Sequence, residues 1–156
     1  MLYLAEAVLD RYPKMNADIL KTGILLHDLG KIREYQTKLV TTITTEGKLL
    51  GHITIGADMV RGKAPKEMPK NLLDEVIHLI LSHHGALEFG SPVLPKTAEA
   101  IALSSLDRTS SYINYTYKAI HELEPSEEFT AYLKHLGTEF YRSPYLDNLT
   151  NEDIPF

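Results

Sequence analysis

The sequence contains no cysteine, although it has seven histidines among its 156 residues. Without cysteine the chain forms no disulfide and offers no thiolate, so any bound metal must be held by histidine, carboxylate or water. Such ligands are typical of catalytic ions such as Mn²⁺, Mg²⁺, Fe or Zn²⁺, and not of structural zinc sites. The histidines are therefore the first candidates for a functional site.

The chain also lacks a surplus of positive charge and a long apolar run. Its net charge of −5 disfavours non-specific binding to duplex DNA, because the phosphate backbone is bound through an excess of Lys and Arg. A small nucleotide or the end of a single strand, held at one site, is still compatible with this charge. No apolar run approaches the roughly 20 residues that span a bilayer, and the N-terminus lacks a basic region followed by an apolar signal core. We expect a cytoplasmic protein without membrane association.

Apolar residues recur at helical spacing along most of the chain, which predicts an all-α fold, a bundle of about five to seven helices. The segments predicted to be helical are 2–11, 17–31, 45–62, 71–85 and 96–123, with a further helix at 126–136. Thr45 is the expected cap of the third segment, and Gly23 is expected to let a neighbouring helix come close. The β-branched stretch 37–45 predicts either a small β-arm or an extended loop. A chain of this length fits one domain, placed at 1–145, with a C-terminal tail at 146–156.

Polar residues occupy helical or helix-end positions where apolar residues would be expected. They are His27, Asp28, His52, His83, His84 and Asp107. A lone histidine on an apolar helix is more often a core or surface residue than a ligand, and His78, His121 and His135 are assigned to that class. For His27 and Asp28 the structural alternative is a helix end with Gly30 as its C-cap.

The chemistry of these residue types favours a metal site. An aspartate can bridge two ions through its two oxygens while histidines bind each ion from outside. Two cations roughly 3.5 to 4 Å apart polarise a phosphoryl oxygen and lower the pKa of a shared water. The pattern therefore indicates phosphoester hydrolysis.

The order of these residues, with "HDLGK" at 27–31, resembles the HD-domain superfamily of metal-dependent phosphohydrolases. More narrowly, "DRYPKMN", "TEGKLLGHITIG", "LILSHHG", "EFGSPVLP" and "LSSLDRTSSY" are similar to the C-terminal domain of the YhaM-type 3′-to-5′ exoribonucleases. The resemblance implies an all-helical HD fold and one or two divalent ions. Mn²⁺ is typical of that group, and Mg, Fe, Zn, Ni or Co are compatible. The substrate implied is a nucleotide or the 3′ end of a single-stranded RNA.

The resemblance also implies a role for each candidate residue. His27 and Asp107 would bind one ion, Asp28 would be the catalytic bridge, and His52 with one of His83 and His84 would bind the second ion. Lys31, the second catalytic residue, would face the scissile phosphate, although it also fits an ordinary cation in a last helical turn. Arg108 would hold a phosphate bidentately, although it also fits a surface arginine.

Two features depart from the family. Its first metal ligand is a histidine on the first helix, whereas no histidine precedes His27 here. The exoribonucleases also carry an oligonucleotide-binding β-barrel before the HD domain, which this sequence does not supply. Both departures have three explanations: a start codon assigned too late, a truncation, or a descendant that has lost activity. The first two are favoured, because every later ligand position of the family still holds a ligand residue.

The leading hypothesis is therefore an enzyme of HD type that is truncated at its N-terminus. The alternative is a catalytically impaired helical module that binds a nucleotide or a protein partner. A shortened first helix would expose apolar surface that a second copy of the chain could cover, so a homo-oligomer is compatible with either hypothesis.

Overall fold

The computed structural model describes residues 1–144, and the tail expected at 146–156 lies outside the described residues. The elements are α1 (Leu2–Arg11), α2 (Ala17–Leu26), α3 (Lys31–Glu34), β1 (Tyr35–Thr37), β2 (Thr41–Ile43), α4 (Thr45–Lys63), α5 (Lys70–Ser82) and α6 (Ala98–His121), with a short 3₁₀ turn at Leu87–Phe89 between the last two helices. The all-α fold is confirmed. None of the helices in residues 1–144 has both the length and the apolar character needed to cross a membrane.

Two compact units divide the chain, one from Met1 to Asp107 and one beginning at Arg108. Helix α6 contributes its first turns to the first unit and its later turns to the second. The single domain expected over 1–145 stays a prediction.

Helices α1, α2, α5 and the first turns of α6 share one apolar core. Its centre is formed by Leu20, Leu79 and Leu103, each fully buried. Gly23 lies where α2 meets α5, and a Cβ added there would overlap the Leu79 side chain and lie 3.2 Å from a methyl of Leu103. The prediction that Gly23 admits a close neighbour is confirmed, because any larger residue would push α2 away from α5.

A second apolar cluster joins α4 to α5 through Ala57, Val76, Ile77 and Ile80. Helix α4 is interrupted at Gly51, whose φ of 68° and ψ of 154° are not helical. Glycine adopts this left-handed φ without the steric cost that a Cβ brings. The interruption makes His52 the first residue of a new helical segment.

The arm expected at 37–45 is a short antiparallel hairpin. Tyr35 pairs with Ile43 and Thr37 with Thr41, and every residue of the two strands is exposed. Of the two alternatives, the small β-arm is therefore the one present.

The prediction of a helix at 126–136 is wrong. The chain is extended there and forms two isolated bridges, Phe129 with Tyr141 and Leu133 with Thr138. Gly137, with a φ of 73°, turns the chain back, and its N–H donates to the carbonyl of Leu133. Aromatic and β-branched residues beside a left-handed glycine favour extended backbone and a turn over a helix here.

Candidate metal centre

Two of the candidate ligands lie where helices end. Helix α2, expected to continue to residue 31, stops at Leu26, and His27 is its C-cap. His83 holds the same position after α5. The two rings lie 5.0 Å apart between centroids, so the carbonyl ends of two helices face one site. The negative end of a helix dipole favours a cation.

Each of these histidines is held by its own helix. Nδ1 of His27 lies 2.9 Å from the carbonyl oxygen of Ile24, and Nδ1 of His83 lies 2.7 Å from that of Ile80. Because a carbonyl only accepts, Nδ1 carries the proton in both rings. The lone pair is then on Nε2, which points into the site.

The other two histidines are held from further away. Nδ1 of His84 donates to the carbonyl oxygen of Phe89, 2.7 Å away in the loop that follows α5. Nδ1 of His52 lies 3.3 Å from Oε1 and 3.2 Å from Oε2 of Glu34. All four rings therefore donate from Nδ1, which leaves Nε2 free to bind a cation.

Asp28 lies between two groups of candidate ligands. Its Oδ1 is 3.6 Å from Nε2 of His52 and 3.8 Å from Nε2 of His83. Its Oδ2 is 3.5 Å from Nε2 of His27, which is in turn 3.7 Å from Oδ1 of Asp107. The two oxygens of one carboxylate thus face different nitrogen donors, as a bridging ligand requires.

These distances fit a metal better than hydrogen bonds. They exceed hydrogen-bond length, whereas two ligands about 2.1 Å from one tetrahedral ion are about 3.4 Å apart. Within residues 1–144, Oδ1 of Asp28 and Nε2 of both His52 and His83 are buried without a hydrogen-bond partner. Nitrogens of His52, His83 and His84 also lie within 4.8 Å of one another. Buried polar atoms are rarely left unpaired, and a divalent cation would satisfy them together.

The local electrostatics keep His83, Asp28 and Asp107 in the forms that bind cations, whereas in the metal-free chain they favour the protonated form of His27. Burial lowers the pKa of His83 to about 4, so its imidazole is neutral near neutral pH. Burial acts against the charged form of Asp28, but Lys31 and His27 outweigh it and hold the pKa of that carboxyl below its usual value. The pKa of Asp107 is likewise lowered, because His27 outweighs the effect of burial. For His27 burial acts downward, but Asp107 and Asp28 raise its pKa overall.

The structure brings together the six residues that the sequence marked as ligands. Lys31 joins them through Asp28, since its Nζ lies 2.7 Å from Oδ2. Arg108 follows Asp107 on α6 but belongs to the second unit, where its guanidinium lies 5.0 Å from the ring centroid of Tyr112. His78, assigned to the structural class, accepts a hydrogen bond from the backbone N–H of Lys96.

The alternative role of Gly30 as a C-cap of α2 is wrong, since α2 is capped by His27 and Gly30 precedes α3. A Cβ on Gly30 would overlap the carbonyl oxygen of His52 and lie 2.7 Å from the backbone nitrogen of Gly56. Glycine is therefore needed because the turn before α3 packs directly on the backbone of α4.

Glu34 is the residue of the site that sequence reasoning missed. It is 8% exposed, although "KIREY" reads as an ordinary polar end of a helix. Its partner His52 is eighteen residues away, so neither helical nor strand spacing connects the two. In a single sequence nothing distinguishes this glutamate from an exposed one.

The family model described as HD domain matches residues 1–112. Among curated proteins, the chain is similar to the 3′-5′ exoribonuclease YhaM of Bacillus licheniformis, at 43% identity over 129 residues. It is 42% identical to the protein of that name from Shouchella clausii and 41% identical to that from Bacillus subtilis. Each match covers 81% of this chain but only 40–41% of the relative's length. No solved structure matches.

Proposed function

Because this chain belongs to the HD domain family, we propose that it is a metal-dependent phosphohydrolase that uses the site around Asp28. The observation that supports this most directly is that three of the proposed ligand atoms, Oδ1 of Asp28 and Nε2 of His52 and His83, are buried without a hydrogen-bond partner among the described residues. A site that leaves such atoms unpaired loses stability unless a ligand satisfies them.

The proposed ligands form two groups that share Asp28. His27 and Asp107 would bind one cation with Oδ2 of Asp28, and the second cation would be bound by Oδ1 with His52, His83 and His84. Mn²⁺ is the ion we expect. A bound divalent cation supplies Lewis acidity toward a phosphoryl oxygen and lowers the pKa of water.

Lys31 is proposed to bind the substrate phosphate. Its side chain is 46% exposed while its ammonium contacts Asp28, so it lies at the border between the ligands and solvent. In that position a cation can neutralise a phosphate oxygen as charge develops on it. Arg108 is proposed as a second phosphate contact, because its planar guanidinium can bind two oxygens at once.

The proposed substrate is the 3′ end of a single-stranded RNA or a smaller nucleotide phosphodiester. The relatives are named 3′-5′ exoribonucleases, and the net charge of −5 favours a short substrate held at one site over a long duplex. The chain spans about 40% of the length of those relatives. The activity of the whole relatives is therefore only proposed for this chain. A cytoplasmic location and a homo-oligomer are predictions from the sequence.

Metal content and turnover of the parent chain and of Asp28→Ala test this function. We expect the parent to retain Mn²⁺ after purification in its presence, and to cleave a single-stranded RNA until a chelator is added. Asp28→Ala should lose both properties, since it removes the ligand shared by both groups. Asp58→Ala is the matched control, because Asp58 is an exposed aspartate that pairs with Arg61. A parent chain that binds no Mn²⁺ would refute the proposal, and binding without cleavage would favour the impaired module.

A further inference from the structure

We propose that Glu34 is a positioning residue that fixes both the backbone and the imidazole of His52, and so directs Nε2 of that ring toward Asp28. The inference rests on the proposed metal centre. It concerns the junction of α3 with α4, where the buried carboxylate meets the start of the second segment of α4.

The contacts of Glu34 converge on one residue. Its Oε1 accepts a hydrogen bond from the backbone N–H of His52 at 3.0 Å and from Nδ1 of the same residue at 3.3 Å. The glutamate is 8% exposed, and a buried carboxylate is costly unless it is hydrogen-bonded. The two hydrogen bonds that offset this cost are both made by His52 to Oε1, whereas Oε2 of Glu34 is buried without a hydrogen-bond partner among the described residues.

The backbone of α4 creates the need for this carboxylate. Gly51 has a φ of 68°, so the helix restarts at His52. The first N–H groups of a helical segment have no carbonyl partner in a preceding turn. Glu34 accepts from the N–H of His52, as a capping side chain does, although it comes from another helix.

Two further residues hold Glu34 in place. The N–H of Thr44 donates to the carbonyl oxygen of Glu34 at 2.8 Å, and its hydroxyl donates to that of Arg33 at 2.8 Å. A Cβ on Gly47 would lie 2.5 Å from the carbonyl oxygen of Glu34 and 2.9 Å from its Cγ. Only glycine leaves room for the glutamate at this distance.

The arrangement fixes the tautomer of His52. A carboxylate accepts and does not donate, so Nδ1 of His52 carries the proton and Nε2 carries the lone pair. That Nε2 is buried, 3.6 Å from Oδ1 of Asp28, and has no hydrogen-bond partner among the described residues. Without Glu34 the ring could rotate or exchange its proton, and either change would withdraw the lone pair from the centre.

The test compares the parent chain with Glu34→Ala and Glu34→Gln. Glu46→Gln is the matched control, because Glu46 lies at the same junction but pairs with Arg33 on the surface. Two quantities are measured, the ¹⁵N shifts of the His52 ring in metal-free protein and the Kd for Mn²⁺ by calorimetry. His52→Ala assigns the ring signals by difference.

We expect Glu34→Ala to bind Mn²⁺ about 10- to 100-fold more weakly, the usual effect of removing a group that orients a ligand. Its His52 signals should indicate a mixture of tautomers. Glu34→Gln retains an acceptor but loses the negative charge, so it should keep the Nδ1–H tautomer and bind Mn²⁺ about 3- to 10-fold more weakly than the parent. Glu46→Gln should match the parent in both measurements.

A merely structural role is excluded by a double-mutant cycle. In the His52→Ala background, replacing Glu34 should weaken Mn²⁺ binding no further, since the residue acts through His52. Equal weakening in both backgrounds, or unchanged affinity and tautomer in Glu34→Ala, would overturn the proposal. If Glu34→Ala does not fold, Glu34→Gln takes its place in the double-mutant cycle with His52→Ala. An Mn²⁺ affinity of Glu34→Gln equal to that of the parent then counts against the proposal.

The proposed function and this inference fail separately. A parent chain without Mn²⁺ affinity would refute the metal centre, whereas the ¹⁵N shifts of metal-free Glu34→Gln and Glu34→Ala would still report whether Glu34 fixes the tautomer of His52. Unchanged shifts in both variants would refute the role of Glu34 even where metal binds.

Discussion

The ends of α2 and α5 and the junction of α3 with α4 each deliver a histidine to the same site, but by different means. His27 and His83 donate to a carbonyl three residues earlier in their own helices. His52 depends on a carboxylate eighteen residues away. A histidine at a helix end finds a hydrogen-bond acceptor for Nδ1 in a carbonyl of its own helix. A histidine after a helix break needs an acceptor from a residue that is distant in sequence.

The two regions also differ in what keeps them in place. The helix ends rest on the apolar core, where Leu20, Leu79 and Leu103 are fully buried. The junction depends on backbone contacts that only glycine allows, at Gly30 and Gly47, and on the cap at Thr44. We therefore expect single substitutions at the junction to disturb the site through the backbone, and changes at the helix ends to act through charge.

Gly30→Ala should produce the largest effect on the junction. The added Cβ would overlap the carbonyl oxygen of His52, so α3 and α4 must separate. We expect the free energy of unfolding to fall by about 3 kcal/mol, at the upper end for overpacking. Urea denaturation of the metal-free chain measures this. Gly62→Ala, where nothing lies within 4 Å, should be neutral or stabilise by up to about 1 kcal/mol. Equal stabilities of the two variants would refute the close packing at Gly30.

Acidification should lower the stability of the folded chain through His83, at the end of α5. His83 has its pKa lowered by burial from 6.5 to about 4, so between these values the unfolded chain binds a proton that the folded chain does not. Stability must therefore fall as the pH falls through this window, by about 1.4 kcal/mol per pH unit. His27, whose pKa is raised, stays protonated in both states there. Urea denaturation with a chelator, above and within the window, measures the slope.

His83→Leu is the control for that slope. His78 also has a lowered pKa, mainly from burial and then from Lys96, so some pH dependence should persist in the variant. The difference between the parent and His83→Leu isolates the contribution of His83. Identical slopes would show that its imidazole titrates normally.

Thr44→Ala should have the smallest effect. Its hydroxyl accepts from the N–H of Gly47 at 2.9 Å and donates to the carbonyl oxygen of Arg33, so one side chain caps α4 and holds α3. Loss of an N-cap costs about 1 kcal/mol. Thr45→Ala, at the exposed next position, should change stability by less than about 0.5 kcal/mol. Thermal denaturation compares the stability of the two variants. A larger loss of stability in Thr45→Ala would indicate that Thr45 is the N-cap of α4.

The sequence predicted the parts of the molecule that depend on local spacing. The apolar spacing located α1, α2, α4, α5 and α6, but it extended α2 to residue 31 and α5 to residue 85, whereas these helices end at Leu26 and Ser82. The cap of α4 was placed one residue late, at Thr45 instead of Thr44, since both carry the same side chain. Glu34 was missed because its partner is remote in sequence. The false helix at 126–136 has a different origin, since it was overruled by a turn at the neighbouring Gly137.

The candidate ligands come from four separate segments, between His27 and Asp107, and approach one another only in the folded chain. An unfolded chain offers the same side chains without their arrangement. A cation that binds only the folded form shifts the folding equilibrium by mass action, by about 2.7 kcal/mol at 100 times its Kd. The concentration of free metal would then set the fraction of folded chains, and with it the lifetime of the protein against proteolysis.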